Sequence, residues 1–86
     1  MREKARIERI LSLLQIIWQQ QPDVRFSQLI SNLQYIYSAQ NNEYGKRKVI
    51  EKWSSGDIET SYLDFFYLED DKWEAFLKSI VENKES

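Results

Sequence analysis

Four carboxylates gather late in the chain, at Asp64, Glu69, Asp70 and Asp71. Hard cations want several oxygens converging from different positions, which makes this group the first candidate for a metal site. Three consecutive carboxylates at a helix start, however, point in different directions and serve the positive end of the helix dipole. The D-x-D-x-D-G calcium pattern is also missing. Capping is the better reading, and no metal is expected. A second group is basic: Lys46, Arg47, Lys48 and Lys52, with Tyr44 and Trp53 as aromatic neighbours. Such cations can contact phosphates while a ring stacks on a base. In a chain of pI near 5.1 four cations are a modest footprint. A solvated loop face is favoured, and nucleic-acid binding is kept as the alternative function.

Catalysis has little to stand on. The chain has no His and no Cys, which removes the thiol nucleophile and the usual zinc ligands and leaves Ser, Thr, Lys, Tyr or a carboxylate to do the work. The two glycines are isolated, and no G-x-S-x-G, phosphate-binding loop or G-x-G-x-x-G pattern occurs. An enzyme is not expected, and no cofactor is implied. A third group is aromatic: Tyr62, Phe65, Phe66, Tyr67, Trp73 and Phe76. Most of it should pack on Trp18 and Trp53, with a remainder exposed as a partner or dimer surface. The candidate partner-binding residues are accordingly Trp53, Phe66, Tyr67, Glu69 and Asp70.

The elements that must position these groups read as helices. Ile7, Ile10, Leu11, Leu14, Ile17 and Trp18 follow helical spacing, and with Leu13 they cover an arc of roughly 160°. Helix 1 is therefore expected over Arg2–Gln20, stopped by Pro22. Phe26, Leu29, Ile30, Leu33, Ile36 and Tyr37 predict helix 2 over Phe26–Ala39, with Asp23 near its start. Ile16 and Tyr35 lie outside the two apolar arcs. A short link favours an antiparallel helix pair. Gln40–Gly45 reads as a loop. KRKVIEKW then reads as one or two helical turns, with a short strand as the competing form. Gly56 suits a left-handed helix stop, and Ile58, Tyr62, Phe65 and Phe66 suit a further helical turn. Asp71 with Glu74 resembles a capping box for a last helix whose buried stripe is Trp73, Phe76, Leu77, Ile80 and Val81; the pattern fades after Asn83. The expected fold is all-α: a small four-helix domain with a long antiparallel N-terminal pair and Trp18 packed on the final helix.

With 86 residues, 42% hydrophobic, the chain suits one domain with a thin core. No apolar run approaches the roughly 18 residues that span a bilayer, and the charged MREKARIERI start lacks signal-peptide character. A cytoplasmic protein without membrane contact is expected. Residues 1–52 carry nine Lys/Arg against five Asp/Glu, a net +4, while residues 53–86 carry three against nine, a net −6. The favoured reading is that the two ends complement each other inside the fold.

Three stretches carry a resemblance: Arg6-Ile7 through Trp18, Pro22-Asp23-Val24-Arg25-Phe26-Ser27-Gln28-Leu29, and Asp64-Phe65-Phe66-Tyr67-Leu68-Glu69-Asp70-Asp71. The chain resembles small uncharacterised bacterial and prophage helical proteins with an R-I-x-x-I-L-x-L-L-x-x-x-W, P-D-x-R-x-x-Q-L and D-x-F-Y-x-E-D-x pattern. Its first half is also similar to the YihD family of small helical bacterial proteins. Residues 41–60 match neither and look like an insertion into a single domain spanning residues 1–86. The resemblance implies a helical fold and no activity. Together these readings predict a non-enzymatic protein–protein interaction module, a phage or prophage accessory, with an unknown protein partner or a second copy of the chain as the occupant of its surface.

Overall fold

The computed structural model describes residues 2–84. Among these residues three helices and one two-stranded antiparallel sheet follow in the order α1 (Ala5–Gln19), α2 (Phe26–Gln40), β1 (Lys46–Trp53), β2 (Gly56–Leu63) and α3 (Asp70–Lys84). The all-α, four-helix-bundle expectation is therefore corrected. The segments 46–53 and 58–66, read as helical turns, hold β1 and most of β2 instead, with residues 64–66 beyond the strand end. Their helical spacing came from a few apolar residues, and none of β1 is buried to enforce it. Nor do α1 and α2 form the expected N-terminal pair: α1 packs along α3.

The chain divides into two compact units. Unit 1 comprises residues 1–30 and 68–86, and unit 2 comprises residues 31–67. In unit 1, Ile17, Leu29, Phe76 and Leu77 are the buried apolar residues. Helix α1 begins three residues later than expected and ends at Gln19; beyond it the Gln20 N–H donates to the Ile17 carbonyl and the Gln21 N–H to the Trp18 carbonyl. The wide arc of α1 is only partly buried, with Ile7 and Leu11 left exposed. Trp18 is 36% exposed and is not the core residue expected. Its indole N–H donates to the Val24 carbonyl at 2.7 Å, and its ring lies 5.3 Å from that of Phe26. It pins the turn after α1. The start of α2 is held by Gln28, whose Oε1 accepts the Arg25 N–H at 3.1 Å, half of a capping box; Asp23 lies upstream in the turn. Helix α3 starts at Asp70. Asp71 Oδ1 accepts the N–H of Lys72, and Glu74 turns to Arg9 and closes no box. The helix runs to Lys84, and the last two residues lie outside the described ones.

Unit 2 is organised by one turn and three rings. The N–H of Glu43 donates to the Ser38 carbonyl at 2.8 Å while Asn42 takes φ +57°, the six-to-one bond and left-handed residue of a Schellman stop. Gly45 follows at φ +79°. A Cβ there would sit 2.8 Å from the Asp64 carbonyl oxygen and 3.0 Å from the Phe65 ring, so glycine lets the two strand ends close. The rings of Tyr37, Tyr44 and Phe65 meet edge-on in all three pairings, at 5.5 to 5.7 Å. Tyr37 is buried, as is Leu33, while Tyr44 and Phe65 are half-buried. At the far end of the hairpin the chain reverses through Ser54 and Ser55, and Gly56 takes φ +130°. It is a hairpin residue, not a helix stop.

Candidate interaction surface

The strand register fixes which side chains share a face. Arg47 opposes Tyr62, Val49 opposes Thr60, Glu51 opposes Ile58 and Trp53 opposes Gly56. Since side chains alternate along a strand, these eight lie on one side of the hairpin, and Lys46, Lys48, Ile50 and Lys52 with Leu63, Ser61, Glu59 and Asp57 lie on the other. All sixteen are exposed except Leu63. The first side holds Val49, Trp53, Ile58 and Tyr62, a set of large apolar groups open to solvent. Of these only Trp53 is among the partner-binding candidates read from the sequence. The alternation of Val49 and Trp53 with Lys48 and Lys52 is a signal for β1 alone; Ile58 and Tyr62 join the set only through the pairing register.

The basic run lies on β1, but much of its charge is answered locally. Lys46 Nζ is 3.5 Å from Glu43, and Lys48 Nζ is 3.6 Å from Glu59 across the strands. Lys52 stands opposite Asp57. Phe66 and Tyr67 follow the hairpin in a turn where the Phe66 N–H donates to Asp64 Oδ1 at 3.1 Å. Their rings touch edge-on at 5.0 Å and are 83% and 79% exposed. Trp53 and this aromatic turn thus all belong to unit 2.

The other two partner candidates, Glu69 and Asp70, belong to unit 1 and are taken up there. Arg2 grips both oxygens of Glu69 at 3.0 Å, Arg6 Nε donates to Asp70 at 2.7 Å, and Arg9 makes a two-pronged contact with Glu74 at 2.8 and 3.1 Å. This ladder ties α1 to α3. Here the basic start of the chain meets its acidic later part. Arg9 holds the Glu74 carboxyl below the usual carboxylate range, chiefly through those hydrogen bonds, and Glu74 with Glu3 in turn pushes the Arg9 guanidinium further up. Bidentate arginine contacts use the oxygens a cation would need, and among the described residues no group of three or more metal-ligating side chains is arranged for one. Unit 1 also carries an apolar groove of about 430 Å³ lined by Leu11, Leu14, Trp18, Pro22 and Phe26.

Among the described residues no helix is long and apolar enough to cross a membrane. Comparison with protein-family models, with curated proteins and with solved structures found no match to the chain.

Proposed function

We propose that the chain is a protein–protein interaction module without chemistry of its own, and that unit 2 carries the contact surface. The observation that supports this is the hairpin, which leaves Val49, Trp53, Ile58 and Tyr62 together on one open side. Exposed apolar residues clustered on one face mark interaction sites, and aromatic side chains are enriched where partners bind tightly. The Phe66–Tyr67 turn extends the same chemistry. Affinity purification with wild type and with a Trp53→Ala, Tyr67→Ala double variant tests the reading. The expected result is a protein captured by wild type and lost by the variant. Recovery of the same set with both, or of none, would sink it.

A second reading is nucleic-acid binding through Lys46, Arg47, Lys48 and Lys52, in which Arg47 shares a hairpin side with Trp53 and Tyr62 while the three lysines offer phosphate contacts from the other side. It expects affinity that falls steeply with salt and weakens on Lys46→Glu. No shift of duplex or single strand at low salt would end it.

A further inference from the structure

Among the described residues the two strands of the hairpin have only each other as partners, so each presents an outer edge of backbone N–H and C=O groups. A lone two-stranded hairpin is marginal in water, and three or more strands with an apolar face are the stable arrangement. The two edges differ in what they would accept. Two-fold, antiparallel pairing of a strand with its own copy keeps the faces continuous only in registers centred on a residue. For β1, centring on Lys48, Val49 or Ile50 opposes Lys48 to itself, Lys46 to Lys52, or Lys48 to Lys52. Each case sets lysine against lysine, the usual protection of an edge against self-pairing. For β2, centring on Glu59 opposes that carboxylate to itself, and centring on Ile58 opposes Asp57 to Glu59. Centring on Thr60 removes every such conflict. Thr60 then faces Thr60, Ile58 faces Tyr62, Glu59 faces Ser61 and Asp57 faces Leu63, and the first two are cross-strand pairings of a favourable kind.

We propose that the outer edge of β2 is occupied by β2 of a second copy, antiparallel and centred on Thr60, giving a four-stranded sheet in the order β1-β2-β2-β1. Val49, Trp53, Ile58 and Tyr62 of both copies then lie on one continuous face. The inference deepens the interaction-module reading by naming one occupant of the hairpin. It can fail alone, because a monomer could still capture another protein through the same side chains.

The chain contains no cysteine, so single cysteines report the geometry directly. Thr60→Cys places two thiols across the two-fold axis, where opposed Cα atoms stand about 4.5–5.5 Å apart, inside disulfide reach. Val49→Cys places them three strand spacings apart, about 14 Å, beyond it. Mild oxidation is expected to convert Thr60→Cys to a covalent dimer and to leave Val49→Cys monomeric. Equal cross-linking of the two, or none at Thr60→Cys, overturns the register. Sedimentation equilibrium of wild type is expected to move from 10.4 kDa towards twice that mass as concentration rises. Thr60→Lys and Thr60→Glu are each expected to stay at the monomer mass, and an equimolar mixture of the two to regain the dimer. That regain separates repulsion at the axis from misfolding. A wild type at monomer mass throughout, or a mixture that stays monomeric, refutes the dimer.

Discussion

Replacing Gly45 by alanine isolates the contact that closes unit 2. The residue sits at φ +79°, where an L side chain costs about 1–2 kcal/mol. Its new methyl would then stand 2.8 Å from the Asp64 carbonyl oxygen and 3.0 Å from the Phe65 ring. The carbonyl is backbone and cannot swing away. The segment is also tied in place, since the Asp64 N–H donates to the Gly45 carbonyl at 2.8 Å. Relief must come from displacing residues 64 and 65, and with them the Phe65 ring from Tyr37 and Tyr44. Overpacking of this kind costs about 1–3 kcal/mol, which brings the total to about 2–5 kcal/mol. For a chain of this length the whole folding free energy is roughly 4–13 kcal/mol, so the loss is large. Gly56→Ala is the control: φ is +130°, but nothing lies within 4 Å of the added Cβ. Its cost is strain alone, on the order of 1–3 kcal/mol, with the Tyr37, Tyr44 and Phe65 rings undisturbed. Urea unfolding followed by circular dichroism gives the free energies, and ring proton shifts show whether the aromatic cluster moves. A Gly45→Ala loss below 1 kcal/mol, or unmoved rings, would refute the described closure.

Three further outcomes follow from the packing. Leu77→Ala, at a fully buried position, is expected to cost about 2–5 kcal/mol in the same urea titration. Trp18→Ala should cost about 1–2 kcal/mol, the worth of one hydrogen bond and one ring contact, and the figure of about 3–5 for a fully buried Trp would place it back in the core. Glu74 has its carboxyl lowered by Arg9, so its contribution to stability is present above the ordinary glutamate value of about 4.3 and is lost as pH falls through the lowered folded value. Urea midpoints taken between about pH 6 and pH 2 should show that acid-side loss shrinking in Arg9→Met, and an unchanged slope would refute the assignment.

Much of the helical part is legible in the sequence because a helix with one buried stripe repeats its apolar residues at fixed spacing. Leu29, Leu33 and Tyr37 announce α2, and Trp73, Phe76 and Leu77 announce α3. The hairpin is less legible for a physical reason. A strand declares itself when one of its faces is buried, and neither face of β1 is. Val49, Ile50 and Trp53 fall by chance at helical intervals, while the alternation that defines the strand is diluted by Ile50 on the lysine side. The exposed set Val49, Ile58 and Tyr62 needed the pairing register before it could be assembled. Conversely, Glu69 and Asp70 looked available because their arginine partners lie more than sixty residues upstream, a distance that local patterning does not span.

The same separation sets an order of events during synthesis. Residues 31–67 are contiguous, so unit 2 can begin to form from local contacts as soon as Leu63 and Phe65 have left the ribosome. Unit 1 has no such independence: Arg2, Arg6 and Arg9 must wait until Glu69, Asp70 and Glu74 have been made. Long-range closures are entropically slow to form. Until α3 arrives, α1 is a partly apolar helix without its partner, and its apolar stripe stays open for as long as the residues between the two helices take to be made.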